Sequence, residues 1–278
     1  MRVLVALTVA AALCWWLRRR RRPYKRHRST GLWLPDDDPD PDLLSPAERT
    51  LDTTGCIGRI VWPAAEVLCD FLQDEREWVA SMPCAIELGA GMGVPGMLAA
   101  RLGLPRVALS DYHPLVLNSL REAVSINALA SSCTVVELSW LEADAAAAAS
   151  TYALALGADL TWTTRGALDL ARAVRRVLGW REGCAADGIF LYAHVERKAV
   201  YMGSDGTVQR DDHDTALRAL CEDLCRGPIE SHLLWHRQVA GDGTDEGDAD
   251  GKETVLLLAF GSADALDALL RQTSSRIG

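Results

Sequence analysis

The chain has 278 residues, of which 49% are apolar, enough for one α/β domain with extensions or for two small domains. Its net charge of −9 is unevenly distributed, because residues 1–30 carry nine basic and no acidic residues and the remainder carries 20 basic against 38 acidic residues. A body this acidic repels phosphate backbones, which argues against nucleic-acid binding, whereas a basic, lysine-bearing protein surface is easier to accept.

The amino-terminal segment, residues 1–30, joins an apolar run at Val3–Leu17 to the basic block Arg18–Arg22. The run has 15 residues. A bilayer span takes about 20, although tryptophans and snorkelling arginines at its end extend its reach. Residues 3–22 are therefore predicted to contact a membrane and to anchor the chain facing the cytoplasm. A mitochondrial presequence and a plain cytoplasmic extension are the alternatives.

A linker is predicted at residues 31–50, because its Pro- and Asp-rich part, 35–46, disfavours helix and central strand and repels itself. The folded domain then takes residues 51–278, and we expect it to be a monomer.

Within this domain, apolar spacing predicts alternating helices and strands. Helices are expected at residues 60–80, 95–102, 114–127, 165–178 and 214–225, and strands at 84–88, 106–110, 133–138, 152–158, 188–194, 231–239 and 254–260. This alternation predicts an α/β fold, a doubly wound, seven-stranded and mostly parallel sheet of Rossmann-like type. Only a loop separates the last two strands, so they should pair as an antiparallel hairpin at the carboxyl end.

A glycine-rich turn follows the first predicted strand of this domain, with glycines at positions 89, 91, 93 and 96. Lacking a Cβ atom, glycine lets the backbone approach a ligand and adopt positive φ. From Gly91 the segment also fits the dinucleotide fingerprint GxGxxG, with Asp111 twenty residues further on. The turn alone therefore leaves both a nicotinamide enzyme and a methyltransferase open.

Three features favour the methyltransferase. Glu87 ends the strand before the glycines, where a carboxylate suits the ammonium group of a methionine moiety and repels a pyrophosphate. The chain leaves little length for a separate substrate domain, and a terminal hairpin is uncommon in the dinucleotide-binding fold. The predicted cofactor is therefore S-adenosyl-L-methionine, and no metal is expected.

Four motifs resemble the seven-β-strand methyltransferases of family 16, which include many protein-lysine N-methyltransferases. They are RIVWPAA at 59–65, ELGAGMGVPG at 87–96, Ser110-Asp111, and ELSW at 137–140. The resemblance covers about residues 55–200 and implies transfer of a methyl group from S-adenosyl-L-methionine to a lysine of a protein. A small-molecule amine methyltransferase and a catalytically degenerate cofactor-binding scaffold are the alternatives.

The resemblance also implies which residues line the cofactor: Trp62, Glu87, Gly89, Ala90, Gly91, Gly93, Asp111, Tyr112, Trp140 and Ala158. Within this group, Asp111 would accept hydrogen bonds from the ribose hydroxyls. Tyr112 and Trp140 would flank the adenine, and Trp62 would close the pocket. The residue types alone also allow structural roles, namely core packing for either tryptophan and helix capping for Asp111.

At the mouth where the target lysine enters, the family usually carries Asp-x-x-Tyr or Asp-x-x-Phe after the fourth strand. This chain has Asp159-Leu160-Thr161-Trp162, so an indole replaces the smaller ring. Asp159 and Trp162 are the predicted catalytic pair. Asp159 would orient the amine, and Trp162 would either form a wall with a cation–π face or narrow the lysine channel and so change the substrate.

Overall fold

The computed structural model describes residues 24–35, 58–141, 152–180, 187–197, 200–202, 208–210, 214–240 and 252–274. Its strands are β1 (Tyr24–Arg26), β2 (Trp33–Pro35), β3 (Ala85–Glu87), β4 (Val107–Asp111), β5 (Cys133–Glu137), β6 (Leu154–Ala158), β7 (Ile189–Val195), β8 (Val200–Met202), β9 (Val208–Arg210), β10 (Ile229–Ala240) and β11 (Lys252–Ser262). Its helices are α1 (Pro63–Asp74), α2 (Arg76–Ser81), α3 (Val94–Arg101), α4 (Pro114–Ile126), α5 (Thr164–Val177), α6 (Thr215–Leu224) and α7 (Ala263–Ser274).

Seven strands form the central sheet in the order β10-β11-β7-β6-β3-β4-β5. The five strands from β7 to β5 in this order pair in parallel, whereas β11 pairs antiparallel with both β7 and β10. The predicted fold class, a doubly wound and mostly parallel sheet with a carboxy-terminal antiparallel hairpin, is confirmed.

Helices cover both faces of the sheet, as the continuous burial of its central strands requires. Side chains alternate between the faces along β7: Leu191 and Ala193 pack with α1, α3, α4 and α7, whereas Phe190 and Tyr192 pack with α5 and α6. Every residue of β7 is buried. The sheet is therefore the middle layer of three.

The strand order reverses between β3 and β6. The chain leaves β3 towards β4 and β5 on one side, and β6 and β7 add to the other side. In open α/β sheets, a crevice forms at such a point, outside the carboxyl ends of the strands. This edge of the sheet, reached by Glu87, Asp111 and Ala158, positions the candidate site.

The helix predicted at residues 60–80 is two helices in the structure, α1 and α2. They meet at Glu75, whose φ of −100° and ψ of 28° are not helical and whose side chain is buried. The change of direction keeps the rings of Phe71 and Trp78 in the core, with their centroids 6.5 Å apart in an edge-to-face contact. Core packing has therefore overridden the continuous helical periodicity.

Residues 24–35 form a hairpin of β1 and β2 that packs against the domain. Leu32 and Leu34 are fully buried in the core, and Asn127, at the end of α4, hydrogen-bonds to both backbone groups of Trp33. The hairpin thus joins the folded body although it precedes the predicted domain start at residue 51. Residues 36–57, which include most of the predicted linker, lie outside the described residues.

The predicted membrane-anchored location is corrected. Across the part of the chain that the structure describes, no helix is both long and apolar enough to cross a bilayer. The apolar run behind the prediction has 15 residues, fewer than the roughly 17 that a span requires at minimum. Residues 3–22, for which membrane contact was predicted, lie outside the described residues.

Candidate active site

The turn between β3 and α3 has an unusual backbone. Gly89, Gly91 and Gly93 all have positive φ, at 54°, 52° and 69°, a region that side chains other than glycine rarely adopt. At Gly91 a Cβ atom would also lie 2.9 Å from the carbonyl oxygen of Gly58. The turn therefore depends on glycine for its conformation and, at Gly91, for a close backbone approach.

Glu87 lies beneath this turn with 3% of its surface exposed. Its Oε2 accepts a hydrogen bond from the backbone amide of Gly96 at 2.9 Å, and its carbonyl accepts one from the Ser110 hydroxyl at 2.7 Å. Burial raises the pKa of Glu87 to about 8, since the Gly96 hydrogen bond opposes desolvation only in part and the charge of Asp111 adds to it. Glu87 is therefore a buried carboxyl group that a cationic ligand would help to ionise.

Asp111 connects the end of β4 to the glycine turn. Its Oδ2 accepts a hydrogen bond from the amide of Gly91 at 3.2 Å, and its Oδ1 accepts one from the amide of His113 at 3.0 Å. The cap of α4 is His113, whose Nδ1 accepts from the amide of Leu115 at 3.3 Å. Asp111 is thus not the helix cap, and each of its oxygens retains a further lone pair for a ligand.

A cavity of about 410 Å³ opens at this edge of the sheet. The structure brings all twelve predicted site residues together in its lining: Trp62, Glu87, Gly89, Ala90, Gly91, Gly93, Asp111, Tyr112, Trp140, Ala158, Asp159 and Trp162. Further lining residues that the sequence analysis did not single out include Ile60, Leu141 and Asp169. The volume lies within the roughly 300–1,000 Å³ of small-molecule sites.

The predicted catalytic pair is already engaged within the protein. Asp159 has a φ of 57° and is buried, and its two carboxylate oxygens each accept a hydrogen bond of 2.5 Å from the guanidinium of Arg197. The same guanidinium lies 4.2 Å above the ring of Trp162. Trp162 also donates its Nε1 hydrogen to the Asp159 carbonyl at 3.1 Å and meets Trp62 edge to face, with centroids 5.5 Å apart.

Arg197 is thus a residue of the mouth that sequence reasoning missed. It follows β7 by two residues in the segment Glu196-Arg197-Lys198. The available signal was a charged run shortly after the strand predicted at 188–194, because the carboxyl ends of parallel strands meet at one edge of a sheet.

A second group of polar residues, which the sequence did not reveal either, is buried next to Arg197 and hydrogen-bonds to its backbone. His194 is fully buried and hydrogen-bonds through Nε2 to Asp214 Oδ2 at 2.7 Å and through Nδ1 to the Tyr192 hydroxyl at 3.2 Å. The same Oδ2 of Asp214 accepts the backbone amide of Arg197 at 2.9 Å. Burial raises the pKa of Asp214, but hydrogen bonds from His194 and two backbone amides outweigh it and hold the pKa below its usual value.

Known proteins resemble this chain in both fold and sequence. A proposed RNA methyltransferase of Pyrococcus horikoshii, PH1948, has a similar fold with a TM-score of 0.50 and 13% identity, covering 74% of this chain and 87% of that one. The calmodulin-lysine N-methyltransferase of Arabidopsis thaliana is 30% identical over 132 residues, 46% of this chain and 42% of that protein. The protein N-lysine methyltransferase METTL21A of Xenopus tropicalis is 30% identical over 161 residues, 57% of this chain and 65% of that protein.

Both sequence matches span less than two thirds of the relative's length. Residues 44–202 match the sequence model of a protein family whose description is lysine methyltransferase. That range is more than half of the chain and contains the glycine turn, Asp111 and the whole mouth. The resemblance inferred from the motifs is confirmed: the chain belongs to the lysine methyltransferase family.

Proposed function

We propose that the chain is an S-adenosylmethionine-dependent methyltransferase that N-methylates lysine side chains of a protein. One observation carries the proposal: a single cavity is lined on one side by the glycine turn with Glu87 and Asp111, and on the other by Asp159 and Trp162. Membership of the lysine methyltransferase family and the two lysine-modifying relatives support the same donor and acceptor.

The residues around the glycine turn suit S-adenosylmethionine. A buried carboxyl group at Glu87 suits the ammonium of the methionine part, since opposite charges attract strongly where water is excluded. Asp111, anchored by two backbone amides, offers its remaining lone pairs to the ribose hydroxyls. Tyr112 and Trp140 present aromatic surface at the cavity wall for the adenine, and Trp62 closes the cavity at the start of α1.

When bound, S-adenosylmethionine supplies a methyl group that its sulfonium already activates, so positioning the acceptor amine provides most of the rate. In this chain, Trp162 and Trp62 form an aromatic corner that restricts how an amine approaches. Asp159 holds the corner through its backbone, because its carbonyl accepts the Trp162 Nε1 hydrogen.

A protein acceptor is supported by the rim of the cavity. Ile60, Leu141 and Trp162 line the opening, and 52%, 69% and 52% of their surfaces are exposed. Clusters of exposed apolar side chains mark surfaces that bind other macromolecules. A small amine would need no apolar surface outside the cavity, so the rim favours a protein substrate over a small molecule.

The test is methyl transfer into a lysate of cells that lack the protein. Purified protein and S-adenosylmethionine labelled in its methyl group are added, and proteins and small molecules are separated and counted. We expect label in protein, as methyllysine after acid hydrolysis. Asp111→Ala should reduce incorporation at least tenfold by weakening cofactor binding, whereas Asp267→Ala, on the exposed face of α7, should leave it unchanged.

Other outcomes of this experiment would identify the other functions. Label found only among small molecules contradicts the protein-lysine proposal and indicates an amine methyltransferase of low-molecular-weight substrates. Label in methylarginine overturns the lysine assignment. Calorimetric binding of S-adenosylmethionine without any transfer to the lysate indicates a cofactor-binding scaffold.

A further inference from the structure

The ion pair between Asp159 and Arg197 sits where the acceptor amine is expected to enter. Both carboxylate oxygens of Asp159 are held by the two terminal nitrogens of Arg197, at 2.5 Å each. The Asp159 side chain is fully buried, and 23% of the Arg197 side chain is exposed. A buried carboxylate without a counter-charge is strongly unfavourable, so the two side chains act as one electrically neutral unit.

The pairing matters because methyl transfer needs an uncharged nitrogen. A free lysine side chain has a pKa of roughly 10.4, so it is almost wholly an ammonium ion near neutral pH. A lone carboxylate a few ångströms away would stabilise that ammonium further, which opposes the reaction. An aromatic mouth in which that charge is cancelled has the reverse effect, because contact with the rings removes part of the ammonium's hydration and so disfavours the charged form.

We propose that Arg197 is a positioning residue that cancels the charge of Asp159, so that the mouth accepts a neutral amine rather than an ammonium ion. The inference rests on the proposed lysine methyltransferase function. It also changes the part expected of Asp159, whose carboxylate holds Arg197 in place instead of binding the amine. Arg197 in turn covers one face of Trp162, which shapes the aromatic wall.

The other charged and titratable groups near the pair come from five elements. From β7, His194 Nδ1 lies 3.8 Å from Asp159 Oδ1, and the Tyr192 hydroxyl bonds to the same nitrogen. Asp214, at the start of α6, bonds to His194 and to the Arg197 amide. The cavity is also lined by Asp169 of α5, which pairs with Arg165 and Arg172, by Glu87 of β3 and by Asp111 of β4.

The reaction balances without a further reagent. The nitrogen lone pair forms the new carbon–nitrogen bond to the methyl group while the carbon–sulfur bond breaks, and its electron pair remains on sulfur. The positive charge passes from sulfur to nitrogen, and the methylated nitrogen keeps it as an ammonium ion near neutral pH. The proton of the incoming ammonium must be lost before this step, and the charge state of the mouth governs that loss.

The test compares two substitutions that unbalance the pair in opposite directions. The acceptor is the purified protein whose lysine carries label in the lysate experiment, and kcat is measured against pH at saturating substrate. Arg197→Gln leaves the negative charge of Asp159 uncompensated, which stabilises the ammonium form of the lysine. The rising limb of the pH profile of kcat should therefore move to higher pH by about one unit or more. Asp159→Asn leaves the Arg197 charge and should move the limb to lower pH.

Binding gives a second readout that does not depend on turnover. The affinity of the acceptor protein at pH 7 is measured by calorimetry in the presence of S-adenosylhomocysteine. Arg197→Gln should bind the ammonium form more tightly, by about tenfold for each pH unit that the limb moves, and Asp159→Asn should bind it more weakly. In Arg197→Gln, KM and kcat should both decrease. A loss of folded protein would lower the apparent kcat without lowering KM, so the two explanations can be distinguished.

Two controls separate charge from structure. Arg175→Gln breaks a comparable, partly buried pair with Asp223 between α5 and α6, outside the cavity lining, and should lower stability without moving the pH profile. Replacing the acceptor lysine by S-aminoethylcysteine, whose sulfur makes the amine less basic, should lower the limb in the wild type. That result assigns the limb to the amine rather than to His194.

The double variant Asp159→Asn/Arg197→Gln removes both charges and should return the limb towards its wild-type position. If Arg197→Gln does not fold, Asp159→Asn and this double variant still decide, because their limbs must differ. If the rising limb of the pH profile lies at the same pH in Asp159→Asn, the double variant and the wild type, the charge proposal is overturned. The proposed methyltransferase function is not affected by that result. A wild type that methylates no protein lysine overturns the proposed function and the inference together.

Discussion

At the scale of single residues, the site treats two buried carboxyl groups differently. Glu87 has a backbone amide as its partner, and burial together with the charge of Asp111 raises its pKa to about 8. Asp159 has a guanidinium that contacts both of its oxygens. Asp159 is therefore paired with a cation of the protein, whereas Glu87 is available to pair with the cationic group of a ligand.

Glu87 should make the ligand-free protein less stable as pH rises. The pKa of Glu87 is about 8 in the folded chain, against 4.5 for an unperturbed glutamate, so the unfolded chain loses the proton first. Between these values, the free energy of unfolding should fall with a slope of up to about 1.4 kcal/mol per pH unit. Urea unfolding at pH 5, 6, 7 and 8 should show this slope in the wild type and a smaller slope in Glu87→Gln.

The exposed Glu137 provides the control for this experiment, since Glu137→Gln changes the same functional group without changing burial. Its pH dependence should follow the wild type. Parallel pH dependences for Glu87→Gln and the wild type would contradict a raised pKa at Glu87.

At the scale of elements, the β1–β2 hairpin is attached to the domain by one side chain at the end of α4. Asn127 accepts the Trp33 amide at 2.9 Å, donates to the Trp33 carbonyl at 2.6 Å and donates to the Ala123 carbonyl at 2.8 Å. The amide group thus ends the helix and continues the hydrogen bonding of β2. Leu32 and Leu34 supply the apolar contacts beneath it.

Asn127→Ala should detach the edge of this hairpin. Loss of three hydrogen bonds that contribute roughly 0.5–1.5 kcal/mol each should lower the free energy of unfolding by about 1–2 kcal/mol, since water replaces part of them. Denaturant unfolding measures the loss, and faster hydrogen exchange at the Trp33 amide locates it. Asn118→Ala, at an exposed position of the same helix, removes only a hydrogen bond from the Arg121 side chain and should leave exchange at the Trp33 amide unchanged. Equal exchange rates at Trp33 in all three proteins would disprove the attachment.

At the scale of the whole molecule, the candidate cofactor site joins three strands and two connecting segments. Gly91 contacts Asp111 of β4 through its amide and lies against Gly58 ahead of α1, and the same cavity reaches Glu87 of β3 and Ala158 of β6. A ligand bound there should stabilise the domain as a unit, because it binds the folded chain and not the unfolded one.

Thermal unfolding with S-adenosylhomocysteine should report this coupling. At one hundred times the Kd, binding contributes about 2.7 kcal/mol, which for a domain of this size raises Tm by about 5–10 °C. Gly91→Ala should lower Tm without ligand and reduce the ligand-induced rise, because of its positive φ and the 2.9 Å approach to Gly58. Gly261→Ala, whose Cβ would lie 3.4 Å from its nearest neighbour, should retain the rise. An undiminished rise in Gly91→Ala would count against cofactor binding at this turn.

The side of the site around the glycine turn could be predicted from the sequence, because its residues are close together along the chain. The strand ending at Glu87, the glycines and the following helix are consecutive, and alternating elements determine that β4 lies beside β3. Glycine spacing and a preceding acid therefore sufficed to identify the turn and Asp111. The helix α7 was missed, although its buried Leu266 and Leu269 have the i, i+3 spacing of a helix face.

The contacts at the mouth of the cavity, where the acceptor amine is expected to enter, depend on the tertiary structure. Asp159 and Arg197 are 38 residues apart and meet only because β6 and β7 are parallel neighbours whose carboxyl ends reach the same edge. The docking of Trp33 against Asn127, 94 residues away, likewise depends on packing that no local pattern encodes. The sequence by itself determined the fold class, the family and the position of the glycine turn, which follow from local periodicity and backbone geometry. Only the tertiary structure decided the charge of the mouth, because an ion pair depends on which strand ends come together.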